Sequence, residues 1–385
     1  MTSEKKSPLL DLGPQFGIVV SLFALIALFT IVYYVREGNF TFFSPENFSN
    51  IVGQVMVVGV LAVGMTLVIL IGEIDLGVGS VVALTAVVMC LLLQQGWAMP
   101  LAIVVTVALG VVVGAWNGFW VARYKIHSFI ITLGMLVIGR GLAQIVSGRQ
   151  NVSPRNEEFT QFFFSTVPPG VSAALIFIAF VAWVAMQFRA ESRLRSFGFE
   201  PPGESAQTAR LAIGFLGFAF AGWVFCGYRG LPLPFLLWLG VVLAGMFILD
   251  QTAFGRAIYA VGGNASAAAL SGINVGSIKW RVFMISGLLC GVAGILAASR
   301  EGGATPGNIG RLNELDAIAA VVIGGTSLMG GIGHVRGTIL GLFLLAVLAN
   351  GMSILGTPQD LQEVIKGLII IAAAWFDVKT KARRA

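Results

Sequence analysis

Charge is the scarcest property of this chain: 11% of its 385 residues are Asp, Glu, Lys or Arg, while 57% are hydrophobic. A soluble domain carries about 25% charged residues, so a soluble globular protein is excluded and an integral membrane protein is implied. Histidine is nearly missing. His127 and His334 are the only two, and they read as interfacial polar residues. No metal cluster or Ser/His/Asp arrangement can be assembled, so neither catalysis nor a bound metal is expected. Cysteine is limited to Cys90, Cys226 and Cys290, all inside apolar runs and without metal-type spacing; an odd number of such thiols excludes a disulfide framework. The phosphate-cradling pattern G-x-x-x-x-G-K-[ST] is absent, and Gly272 to Lys279 has glycines and a lysine at the wrong spacing. The chain therefore lacks a nucleotide site of its own, and no cofactor is expected.

What the sequence does have is apolar length. Twelve hydrophobic runs cover 16–34, 51–71, 78–94, 100–122, 128–147, 170–188, 210–227, 232–249, 282–299, 315–331, 337–355 and 361–377. Crossing a hydrocarbon core of roughly 30 Å takes about 20 residues, or about 17 at the short end. The runs at 78–94, 315–331 and 361–377 are short enough to be half-helices or re-entrant. The expected fold is all-α: a polytopic integral membrane protein of about ten to twelve transmembrane or half-membrane helices, forming one transmembrane domain over 1–385 with no soluble domain left over. The first run is too long for a signal-peptide core and continues into Tyr33, Tyr34 and Arg36, so it reads as an uncleaved anchor.

The 24 Lys and Arg residues test this topology. With a cytoplasmic N-terminus, sixteen cations, among them Lys5, Lys6, Arg256, Lys279, Arg281, Arg383 and Arg384, fall in cytoplasmic loops. Six face outward: Arg36, Arg149, Arg155, Arg229, Arg300 and Arg311. That bias obeys the positive-inside rule and predicts that both termini are cytoplasmic. It also explains the net charge of +6 as a rim facing anionic membrane lipid, not a nucleic-acid surface.

Acidic residues next to apolar runs need a reason, because a carboxylate at a helix centre costs about 2.5–3.5 kcal/mol on insertion scales. Two clusters stand out: Glu73 and Asp75 before run 78–94, and Glu314 and Asp316 around the start of run 315–331. They can be carboxylates capping helix starts, groups lining a polar pathway for hydroxyl-rich cargo, or proton carriers. The clusters also suggest a duplication. Glu73-x-Asp75, Asn117-Gly118 and Arg140-Gly141-Leu142 recur in the same order as Glu314-x-Asp316, Asn350-Gly351 and Lys366-Gly367-Leu368. By the charge-derived topology, the pseudo-repeats 51–147 and 282–377 run in opposite directions, and inverted repeats with interrupted helices are a transporter signature. Asn117, Arg140 and Asn350 thereby join the four acids as candidate pathway or helix-cap residues.

Residues 250–281 are a polar loop between oily segments. Within it Asn264 precedes an alanine-rich run and Gly272 follows, which spells a short helix with a side-chain cap and a left-handed stop. A helix of about two turns is far below the roughly 12–15 residues at which a free helix becomes marginal, so it needs a partner to pack against.

Several stretches resemble the permease subunits of bacterial ATP-binding-cassette importers for monosaccharides of the ribose/xylose/galactose type. They are G-E-I-D-L-G-V-G-S at 72–80, V-G-A-W-N-G at 113–118, F-G-R-A-I-Y-A-V-G-G-N at 254–264, L-S-G-I-N-V at 270–275 and E-L-D-A-I-A-A-V-V-I-G-G-T-S-L at 314–328. Y-R-G-L-P-L-P at 228–234 and the polar loop near 189–210 incline the likeness toward the D-xylose members. The resemblance implies a dimeric transmembrane subunit of the inner membrane, a cytoplasmic ATP-binding subunit and a periplasmic sugar-binding protein. It also implies that the 250–281 loop is the ATPase-coupling element. The family's Glu-Ala-Ala-x-x-x-Gly motif falls on Ser266, Ala267, Ala268 and Gly272, with Ser271 just before the glycine; Ser266 stands where the family has Glu, which puts an ionic contact with the ATPase in doubt. Permeases for another sugar or for branched-chain amino acids, and a proton-coupled secondary transporter, remain alternatives.

Overall fold

The computed structural model describes residues 15–198 and 203–382. Lys5, Lys6, Arg383 and Arg384, counted above toward the charge bias, lie outside the described residues. In chain order the helices are α1 (Gln15–Glu37), α2 (Pro45–Leu70), α3 (Val78–Gln94), α4 (Met99–Tyr124), α5 (Ser128–Val146), α6 (Glu157–Phe162), α7 (Pro169–Ser196), α8 (Glu204–Cys226), α9 (Leu233–Gln251), α10 (Ala253–Gly263), α11 (Ala265–Leu270), α12 (Val275–Glu301), α13 (Asn313–Ile323), α14 (Val335–Ile354) and α15 (Gln359–Ala382). Every one of the twelve apolar runs contains a helix. Among the described residues, nine helices are long and apolar enough to cross a membrane. The protein is an all-helical polytopic membrane protein.

Three details depart from the sequence reading. Run 361–377 is no half-helix, because α15 extends over 24 residues. The 250–281 loop holds a second helix, α10, which starts where Thr252 Oγ1 accepts the Gly255 N–H at 3.0 Å. A minimal antiparallel pair, β1 (Thr166–Val167) with β2 (Leu231–Pro232), ties the loop before α7 to the start of α9.

The core is built around α2 and α12, which pack on each other and bury most of their length. Small residues make the closest seam. Gly110, Gly114 and Gly118 of α4 face Gly287, Gly291 and Phe283 of α12, and a Cβ on Gly114 would collide with the Phe283 carbonyl. The helix backbones therefore touch directly, the small-residue packing that substitutes for a hydrophobic drive in lipid. By contrast, α1, α7 and α8 leave most of their apolar surface outward, as lipid-facing helices do.

The packing has a paired pattern. Helix α4 packs on α12 and α14 on α2; α3 packs on α12 and α13 on α2; α3 packs on α5 and α13 on α15. The third helix of each half thus rests on the first helix of the other.

Candidate functional site

Two irregular stretches interrupt the helical scaffold, and the acidic clusters lie at them. The first, 71–77, runs alongside the start of α5. Its exposed backbone needs partners, and α5 supplies them: Ser128 Oγ accepts the Ile74 N–H and Thr132 Oγ1 the Leu76 N–H, each at 3.0 Å. Irregular backbone at membrane depth is tolerated only when its polar groups are satisfied in this way. Asp75 is 4% exposed; its carboxylate accepts the Gly77 N–H at 2.9 Å and the Ser286 hydroxyl at 3.2 Å. It therefore both turns the chain into α3 and ties that turn to α12. Glu73 pairs instead with Lys279 of α12.

The second stretch, 302–312, leads into α13. Arg140 of α5 donates to the Pro306 carbonyl at 3.1 Å and the Ile309 carbonyl at 2.7 Å. The two interruptions meet where α3 and α13 begin. Gly79 and Gly310 are in backbone contact there, and the buried Glu314 carboxylate reaches Gly79, where any side chain would collide with it. Glu314 and Asp316 occupy the first turn of α13, where unpaired N–H groups and the helix dipole favour negative charge. Asp316 also receives Lys366 Nζ of α15 on both oxygens at 3.1 Å.

Asp75, Arg140, Glu314 and Asp316 are thus gathered around the two broken segments. Asn117 and Asn350 are not: Asn117 is buried in α4 and Asn350 near the end of α14, and each leaves its side-chain oxygen without a hydrogen-bond partner in the protein. Sequence reasoning missed Ser286 and Lys279, which hold the first acidic cluster, and Gln54 and Arg300. The latter two line three adjoining cavities, of about 270, 190 and 530 Å³. Gln54 had a visible signal, a single amide inside run 51–71.

The other site is the loop helix α11. Asn264 Oδ1 accepts the Ala267 N–H at 2.9 Å and caps its start. Gly272 closes it with φ +85°, the left-handed geometry that favours glycine. Ser271 Oγ donates back to the Ala267 carbonyl at 3.0 Å. Ser266, Ala267 and Ser271 are exposed, as is Leu270 at 91%, whereas Ala268 is buried against its own chain at 5%. Ala268 consequently belongs to the inward face of the helix, and Leu270, which sequence reasoning passed over, to the outward one.

Helix α10 joins α11 to the end of α2, where the 71–77 stretch begins, and to the 324–334 segment that follows α13. The Gly331 N–H donates to the Leu70 carbonyl at 2.9 Å, and Gly262 lies against both, with no room for a Cβ. The Tyr259 hydroxyl donates to the Gly333 carbonyl at 2.7 Å. Burial, with a smaller contribution from Asp250, raises the Tyr259 pKa, so the phenol keeps the proton it donates. His334 Nδ1 lies 3.4 Å from the same hydroxyl.

A bundle of membrane-length helices, two helices interrupted among buried acids, and a small capped helix held out on a loop together define a membrane transport subunit. The chain belongs to the family described as branched-chain amino acid transport system / permease component, which matches residues 47–374. It is a multi-pass protein of the inner membrane. It is 41% identical over 383 residues to the xylose transport system permease protein XylH of Escherichia coli K12, covering 99% of this chain and 96% of that one. It is 36% identical over 370 residues to XylH of Haemophilus influenzae Rd, covering 95% and 97%. The ribose import permease protein RbsC of Escherichia coli K12 is 36% identical over 356 residues, covering 92% and 93%. No solved structure matches the chain.

Proposed function

We propose that this chain is the membrane-spanning subunit of an ATP-driven monosaccharide importer, with D-xylose as cargo, working as a homodimer with a cytoplasmic ATPase and a periplasmic sugar-binding protein. The relatives named for xylose supply the cargo; ribose is the second reading, supported by the 36% identity to a ribose permease along most of both chains. The observation that carries the mechanism is α11. It is short, capped and outwardly exposed, yet joined through α10 to Leu70 at the end of α2 and to Gly331 in the segment after α13. An ATPase that binds two positions of α11 with different affinity would thereby shift the end of α2 and the segment after α13 together. The excess of cations in the loops at that end supports a cytoplasmic location for α11 and both termini.

The reciprocal packing of α2–α5 and α12–α15 supports an inverted repeat within a single transmembrane domain. In that arrangement the four acids stand near the contact between the halves. The pairing of Glu73 with Lys279, of Asp316 with Lys366, and of Asp75 with Ser286 and the Gly77 N–H argues for fixing the broken segments over carrying protons.

Reconstitution into liposomes tests the reading. The chain with its ATPase and binding protein should accumulate D-xylose only with ATP. Uptake by the chain alone, abolished by an uncoupler, would establish a proton-coupled transporter instead. Ala267→Asp, on the exposed face of α11, should lower ATPase association about tenfold or more, the size expected for a charge placed in a desolvated apolar contact. Membrane insertion should be unchanged, and ATPase co-purification checks the prediction.

A further inference from the structure

The largest of the three cavities, about 530 Å³, lies among the first turns of α2, the end of α14 and the loops before α7 and α9. We propose that it is the first saccharide-binding site of the translocation route, taking an uncharged polyhydroxylated ring; this rests on the sugar-importer reading above.

Its polar wall is made of amides and hydroxyls, chiefly Asn50, Gln54, Asn350 and Ser353. Asn350 is the pointed observation. It is 4% exposed, lines the cavity, and leaves its Oδ1 without a partner in the protein. Burying an acceptor unpaired is unfavourable, so a ligand hydroxyl that donates to it gains more than it would at a solvated amide.

Phe163, Phe164 and Tyr228 add ring surface to the same cavity. A sugar ring has an apolar C–H face and a polar O–H rim, which match aromatic faces and amide groups respectively. The charged groups nearby are already engaged. Glu46 accepts the Tyr228 hydroxyl at 3.1 Å, Arg229 stacks over the Tyr228 ring at 5.3 Å, and Arg300 lies 5.8 Å from the centre of the Phe163 ring and donates to the Gln54 carbonyl at 3.5 Å. A neutral sugar needs no charged partner, and the amides and hydroxyls of the wall offer it donors and acceptors.

Gln54 and Arg300 also border the two smaller cavities, one of which reaches Asp316 and Lys366. A sugar leaving the outer site passes these two side chains first. They are the junction between the outer site and the two smaller cavities.

Two glycines give a clean test. A Cβ on Gly53 would meet nothing within 4 Å, and Gly53 lines the cavity. Gly240 has equally open surroundings but sits on the exposed face of α9, outside the cavity. Both become leucine in the full transporter, assembled with ATPase and sugar-loaded binding protein in liposomes. Gly53→Leu should cut ATP-dependent D-xylose uptake about tenfold or more by filling a concave ligand site, while Gly240→Leu should change it less than about twofold. Asn350→Leu, close in size and without the acceptor, should lower uptake about fivefold or more, with subunit assembly and binding-protein docking retained. Uptake by Gly53→Leu and Asn350→Leu equal to wild type would overturn the site. Loss of binding-protein docking, in place of sugar passage, would overturn it in favour of a protein-docking surface. Failure of the wild type to move any monosaccharide would remove the importer reading itself, a result distinguishable from wild-type transport with unaffected variants.

Discussion

At α3 the interruption is sealed by its neighbour, and at α13 it is not. Helix α5 lies against 71–80 closely enough to supply Ser128 and Thr132 as hydrogen-bond acceptors and to bring Gly139 beside Ser80. Helix α15 stands off from α13 and α2 and leaves a cavity of about 270 Å³ between Gln54, Asp316 and Lys366. What spans that gap is the partly exposed Lys366–Asp316 ion pair. The contrast comes from side-chain size and polarity beside the two helix starts. A small residue, Gly139, closes one seam, and a charged pair crosses the other.

The largest expected effect comes from filling the tight seam. A Cβ on Gly139 would sit 2.8 Å from Ser80 Oγ, so Gly139→Leu should destabilise the protein by at least the ~1–3 kcal/mol typical of overpacking. On the loose side, a Cβ on Gly367 of α15 would meet nothing within 4 Å, so Gly367→Leu should be neutral or stabilising by up to ~1 kcal/mol from helix propensity. Thermal unfolding in detergent compares the two, and equal losses would break the contrast.

Ser128→Ala and Thr132→Ala come next. Each leaves a backbone N–H unpaired, at a cost of about 1–3 kcal/mol, and hydrogen exchange should rise at Ile74 and Leu76.

The smallest effect is expected at Lys366, with Arg140 as its comparison. Arg140→Ala frees two carbonyls in the 302–312 stretch and should cost ~2 kcal/mol. Lys366→Ala removes half of a pair whose side chains are both 27% exposed and should cost less than ~1 kcal/mol. A larger loss for Lys366 than for Arg140, by the same unfolding measurement, would reverse the contrast between the tight and loose sides.

Much of the helical scaffold was legible because a membrane span needs only length and apolarity, and both are local. The cap at Asn264 was legible for the same reason: its partner is the N–H three residues on. The 250–281 loop was misjudged at α10, whose buried Ile258 and Val261 are too few to stand out among glycines. The inward turn of Ala268 was invisible in a run of near-identical small residues with no periodicity to orient it. The acidic clusters could be seen, but their partners could not. Asp75 meets Ser286 across 211 positions and Glu73 meets Lys279 across 206, separations that only tertiary packing closes. Gln54 and Arg300 matter because three cavities converge on them, and a cavity has no signature in a linear pattern.

The crossing of Gly262, Leu70 and Gly331 carries a mechanical consequence. Backbone rests on backbone there without intervening side chains, so the joint has no rotamers to absorb displacement. A coupling made of flexible side chains has play, like a worn gear, and part of any input is lost before the output moves. This joint has almost none: a shift of α10 of a few tenths of an ångström must be passed on or resisted. Its three chain segments therefore share one stroke length, and that length limits how far a movement of α11 can be carried into the bundle.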